Sequence, residues 1–105
     1  MDAMYAFKAE LYKTLGHPIR LRILDLLRDG ERSVSELQQA LNIEPSSVSQ
    51  QLAVLRSHHL VESRKSGTNV FYSVPDVLIF ELLDIARSIF QHQVDSMNSV
   101  LRSQP

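Results

Sequence analysis

The chain contains no cysteine, which removes a disulfide framework, a thiolate metal site and a thiol redox switch together. Glycine is scarce, with three in 105 residues, and no Gly-rich phosphate loop or His-Glu-x-x-His run occurs. No hydrophobic run approaches the length needed to span a bilayer. The segment from Met1 to Lys8 has no basic stretch leading into a long apolar one. The expectation is a cytoplasmic protein with no membrane partner. Repeats, low-complexity tracts and interdomain linkers are also missing. An enzyme needs a nucleophile with its base, a carboxylate pair in a cleft, or a metal, and no pattern here proposes one. The reading is non-enzymatic, with no catalytic, cofactor-binding or metal-binding residue assigned.

Charge is nearly balanced, at -1 overall, but it is unevenly spread. Residues 45–74 carry Arg56, Arg64 and Lys65 against Glu62 alone. Residues 75–105 carry Asp76, Glu81, Asp84 and Asp95 against Arg87 and Arg102. A modestly positive middle segment, doubled in a dimer, suffices for phosphate contacts.

The length suits one domain, and residues 1–105 are read as a single domain. Met4, Phe7, Leu11 and Leu15 recur at helical spacing, predicting a helix over 1–15 that stops at Gly16. His17 and Pro18 open a second helix and Asp29 and Gly30 close it, with Ile19, Ile23, Leu24, Leu26 and Leu27 as its core stripe. Ser33 to Glu36 fits a capping box, and Leu37, Ala40 and Leu41 form the buried side of the helix it starts. Pro45 begins a fourth helix ending near Ser57, although Glu44 is a poor cap. Residues 33–57 are thus a helix-turn-helix.

In the fourth helix Val48, Leu52 and Leu55 face inward. Ser46, Ser47, Ser49, Gln50 and Gln51 then lie on the outside or its edges, as small and amide side chains able to reach base edges in a major groove. Leu60–Lys65 and Asn69–Val74 read as two strands joined at Ser66 and Gly67, so 60–74 forms a wing. Phe71 and Tyr72 are both read as packing residues. From 76 to 101, Leu78, Leu82, Ile85, Ile89, Met97 and Val100 mark one apolar stripe, which Val77, Phe80, Leu83 and Phe90 broaden. So wide an apolar surface on a small protein points to burial between molecules.

The order of elements and three segments resemble the ArsR/SmtB family of dimeric winged-helix transcriptional repressors. The segments are Leu15–Leu24, Val48–Leu52 with Leu55, and Leu60–Val61 leading to Phe71–Ser73. The fold expected is mostly α with a small β-hairpin, a winged helix-turn-helix in the order α-α-α-α-β-β-α. The resemblance implies a homodimer through the first and last helices, over 1–15 and 76–101, with Phe7, Leu11, Leu78, Leu82, Ile85 and Ile89 at the interface. Double-stranded DNA carrying a partly palindromic operator is the implied partner. Ser46, Ser47, Ser49, Gln50 and Gln51 would contact the groove, and Arg64, Lys65, Thr68 and Asn69 would make wing contacts to phosphate or the minor groove. Glutamine is a bidentate match to adenine N6 and N7, worth about 1 to 3 kcal/mol of discrimination.

Many relatives have histidine where Gln50 or Gln51 stands, and the family's metal sites also fail to carry over. The segment Ser33–Leu41 has neither cysteine nor histidine. The interhelical site maps to Asp76, Leu78, Ile89 and His92, of which two are aliphatic, so a closed tetrahedral site cannot form. The inducer is left unidentified. Two alternatives remain at this level: a nickel- or zinc-responsive repressor using a different site that includes His92, and a winged helix that binds protein instead of DNA. His17 is read as a helix cap, and His58 and His59 as helix-end residues. Arg20 and Arg22 either touch phosphate or pair with Asp25 and Asp29.

Overall fold

The structure is a computed structural model and describes residues 2–104. Helix α1 (Ala3–Leu15) starts where the Asp2 carboxylate accepts from the Met4 N–H at 2.8 Å, and it ends at Gly16. Helix α2 (Pro18–Leu26) is capped by His17, whose Nδ1 accepts from the Ile19 N–H at 3.2 Å, with Pro18 in the first turn where no N–H is needed. It stops earlier than the Asp29–Gly30 signal suggests. Leu27 is its C-cap, and Gly30 closes the following turn at φ 138°, a conformation open to glycine.

The next element was not expected. Arg32 and Ser33 form a short strand, β1, that pairs antiparallel with the wing, Arg32 opposite Tyr72 and Ser33 opposite Phe71. The order of elements therefore gains a strand between the second and third helices. Two residues are too few for an alternating pattern. The Arg32 side chain also donates from Nε to the Leu26 carbonyl at 2.7 Å, satisfying an acceptor at the end of α2.

Helix α3 (Val34–Leu41) carries the expected capping box. The Ser33 hydroxyl accepts from the Glu36 N–H, and the Glu36 carboxylate accepts from the Ser33 N–H, both at 3.1 Å. Hydrogen bonding from Ser33 holds the Glu36 carboxyl below its usual range. Leu37 and Leu41 are buried, but Ala40 is exposed, contrary to the sequence pattern. Asn42 ends the helix in the left-handed region, at φ 55°. Helix α4 (Pro45–Ser57) follows, and Glu44 provides no side-chain cap. Its other end is a Schellman turn. The Leu60 N–H donates to Leu55 O at 3.0 Å and the His59 N–H to Arg56 O at 3.0 Å, with His59 left-handed at φ 61° in the place glycine usually takes.

The wing is shorter than 60–74. Strand β2 (Glu62–Ser66) pairs with β3 (Asn69–Ser73), and the sheet order is β1-β3-β2. Ser66 pairs with Asn69, so the turn falls on Gly67 and Thr68, one residue later than expected. Gly67, at φ 63°, takes the first central position, as two-residue hairpins favour. Leu60 and Val61 precede the strand as buried core residues. The last helix, α5 (Leu78–Ser103), starts and ends two residues later than the 76–101 stripe. Asp76 accepts from the Leu78 N–H at 3.0 Å, which sets that start.

The core lies within the α2–α3–α4 body. Ile23, Leu24, Leu37, Val48, Leu52 and Leu55 are all fully buried, joined by Leu15, Leu27, Leu41, Leu60 and Val61. Burying each such side chain contributes about 1.5–3 kcal/mol. The buried Thr14 hydroxyl donates to Glu10 O at 2.8 Å. Among the described residues no buried side-chain nitrogen or oxygen lacks a partner, and no helix is long and apolar enough to cross a membrane.

Candidate nucleic-acid interface

Val48, Leu52 and Leu55 anchor α4 to the core and so fix which residues it presents outward. Ser46, Ser49 and Gln50 stand on the exposed face, whereas Ser47 and Gln51 lie half-buried on the flank. The sequence pattern treats these five alike, and the fold divides them. Gln51 is tied back to α2, its Oε1 accepting from Arg20 Nε at 2.8 Å, while Arg20 Nη1 donates to Thr14 O at 3.2 Å. Arg20 thus pairs with neither Asp25 nor Asp29. Its bond to Gln51 spans 31 residues of sequence, so no local pattern could reveal it.

Alternation along β2 separates the two wing cations. Arg64 is opposite Phe71 and Lys65 opposite Val70, and neighbouring residues of a strand point to opposite faces. Tyr72 packs against the core, so its face, shared with Val70 and Lys65, is the inner one. Arg64 lies on the outer face, 5.0 Å from the centre of the Phe71 ring, and donates from Nε to Glu31 Oε2 at 3.2 Å and from Nη2 to Glu31 Oε1. Phe71 is therefore a platform for Arg64 on the sheet's outer face instead of a core residue. The Arg64 bond holds the Glu31 carboxyl below its ordinary range and raises the Arg64 guanidinium. Lys65 pairs with no carboxylate among the described residues. Thr68 and Asn69 are exposed at the hairpin tip.

Known proteins share this arrangement of a polar outward helix beside a hairpin. The sequence model described as "Bacterial regulatory protein, arsR family" matches residues 17–63. The chain is 42% identical over 101 residues to the uncharacterized HTH-type transcriptional regulator Rv0081 of Mycobacterium tuberculosis, covering 95% of this chain and 89% of that one. It superposes on the crystal structure of M. tuberculosis Rv0081 with a TM-score of 0.83 at 41% identity, covering 92% and 98% of the two chains. A solution structure of the homodimeric winged helix-turn-helix DNA-binding domain Mb0332 from Mycobacterium bovis gives 0.79 at 30% identity, covering 90% and 87%. The chain belongs to the arsR family of bacterial regulatory proteins. It is a DNA-binding repressor of the ArsR type, a family without catalytic activity.

Among the described residues of this ArsR-family repressor, no three His, Asp or Glu side chains are grouped to hold a metal ion. His17 is engaged as the α2 cap. His58 lies with Nδ1 3.0 Å from Val54 O and Nε2 3.8 Å from a Glu10 carboxylate oxygen. His59 faces solvent at the end of α4, and His92 on α5.

The six apolar residues expected at a dimer interface divide in two. Phe7, Leu78, Ile85 and Ile89 are between 54% and 67% exposed, whereas Leu11 and Leu82 pack partly against the chain's own core. Arg28 ties α5 to α2, pairing with Asp25 at 2.9 Å and Asp84 at 3.0 Å and lying 5.2 Å from the Phe80 ring centre.

Proposed function

We propose that this repressor is a single winged-helix domain acting as a homodimer on a partly palindromic operator, with α4 of each protomer in successive major grooves. The observation that carries this reading is the outward face of α4. Ser46, Ser49 and Gln50 form it without a carboxylate, mounted on three core residues with no exposed surface. Ser47 and Gln51 border it, and Lys65, Arg64, Thr68 and Asn69 on the wing reach flanking phosphate or the minor groove. Phe7, Leu78, Ile85 and Ile89 supply apolar surface on α1 and α5 for pairing, with Leu11 and Leu82 behind them. The homodimeric state of Mb0332 supports that arrangement.

The test is binding of the purified protein to the duplex upstream of its own gene and to a scrambled duplex, across a range of salt. Affinity for the first is expected to be higher and to fall with a log–log slope near -0.9 for each phosphate neutralised. Equal affinity for both duplexes, or binding insensitive to salt, contradicts the reading and favours protein docking. Nickel or zinc, added against a chelator, is expected to leave the affinity unchanged.

A further inference from the structure

Gln50 and Gln51 carry the same amide, yet the fold gives them different chemistry. Gln50 is exposed and makes no side-chain hydrogen bond among the described residues. Gln51, about 100° further round the helix, leans on α2. Its partner Arg20 has only donors, so the atom 2.8 Å from Arg20 Nε must be the amide oxygen. The amide nitrogen, with its two N–H donors, makes no hydrogen bond among the described residues. Arg20 is itself held, because Nη1 donates to the carbonyl of Thr14, a buried residue whose hydroxyl donates to Glu10 O at 2.8 Å. Releasing the Gln51 oxygen by turning the guanidinium would also disturb the bond to the end of α1.

We infer that Arg20 is a specificity-determining positioning residue: by holding Gln51 Oε1 it presents Gln51 to the major groove as an amide donor, which reads guanine instead of adenine. The glutamine–adenine pairing needs the amide oxygen on N6–H and the amide nitrogen on N7. The oxygen has a second lone pair, so the discrimination rests on its being held toward α2: the amide N–H end is then the one left to face the base, and it meets the adenine amino group donor against donor. Guanine offers N7 and O6, two acceptors side by side, to the same N–H groups. Gln50 keeps both ends of its amide and with them the adenine pairing. Two adjacent glutamines thereby read different purines. The inference rests on the placing of α4 in the groove with Gln51 among its base contacts.

The experiment selects duplexes from a randomised pool with the wild-type protein, Gln51→Ala, Arg20→Met and the double variant, and sequences what each retains. Methionine keeps an unbranched apolar stem and removes the donors. Gln51→Ala is expected to flatten one guanine-preferring position in each half-site. Arg20→Met should move that same position toward adenine by about tenfold, and the double variant should match Gln51→Ala there. Guanine preference unchanged in Arg20→Met overturns the role of Arg20 while leaving Gln51 as a reader, as does an adenine preference at that position in the wild type. No change anywhere in Gln51→Ala removes Gln51 from base readout and the inference with it, and enrichment of no duplex by the wild type sinks the proposed function itself. A second measurement covers the case in which Arg20→Met fails to fold. In the wild type the Arg20 Nε–H proton signal, identified by its change in Gln51→Ala, should keep its position when the selected duplex is added. A shift to the solvent-exposed position means the contact opens on DNA and overturns the inference.

Discussion

Helix α4 holds Val48, Leu52 and Leu55 wholly inside the protein, whereas α5, twice as long and richer in large apolar side chains, has no buried residue. The difference lies in what each helix meets. The apolar stripe of α4 is narrow and fully covered by the α2–α3–α4 core. That of α5 is broad. One edge, Ile79, Leu82 and Leu83, leans on the body, while Leu78, Ile85, Ile89, Phe90, Met97 and Leu101 remain exposed. Scattered exposed leucines are ordinary, but a contiguous apolar patch on one element marks a surface that another molecule covers. Stability of the chain is therefore concentrated in one region, and the surface that we propose for assembly lies in another.

Substituting matched residues in the two helices breaks the comparison most sharply. Leu52→Ala is expected to cost about 2–5 kcal/mol in denaturant unfolding, because it empties a fully enclosed site. Ile89→Ala, at an exposed site, should change the stability of the monomer by no more than about 0.5 kcal/mol. Ile89→Glu should leave monomer unfolding equally unmoved yet abolish dimers in sedimentation at micromolar protein. Dimers that survive it would place the interface elsewhere. Leu82 is a poorer probe, since it packs partly on its own core and a charge there would damage fold and interface together.

What the sequence revealed and what it hid follow the range of the interactions. The end of α1 and the starts of α2 and α3 depend on residues two or three apart, and Gly16, His17–Pro18 and Ser33–Glu36 announced them, whereas the Asp2 cap of α1 was not read from the sequence. The core stripe of α4 depends on helical period alone and was legible for the same reason. Strand β1 was not, because a two-residue strand has no pattern and exists only through pairing with β3. In the site, residue types were visible but their division was not. Gln51 is set apart from Gln50 by Arg20, and Arg64 from Lys65 by strand alternation and by Glu31, partners about thirty residues away in sequence.

A smaller effect separates local from tertiary stabilisation. Ser33→Ala removes the hydroxyl that accepts the Glu36 N–H and should cost about 1 kcal/mol, with the melting midpoint falling and the far-ultraviolet spectrum unchanged. A cost several times larger would mean that the Ser33 hydroxyl does more than cap α3.

The smallest effect sits on the wing, where Glu31 stabilises the folded chain through Arg64, the guanidinium that we propose for phosphate. Because Arg64 holds the folded Glu31 carboxyl below its ordinary value near 4.5, the contribution is present above that value and lost as pH falls through the lowered one. Both groups are exposed, so the gain is slight. Glu31→Gln should melt slightly below the wild type at neutral pH, and the gap should close on acidification. On DNA the sign reverses. Freed from its carboxylate, Arg64 becomes available to phosphate, and the salt dependence should steepen by up to about 0.9 in log–log slope for each protomer on the duplex. If Glu31→Gln instead weakens binding, the pair orients Arg64 for the duplex and does not compete with it, and the stabilising and DNA-binding roles of the wing coincide.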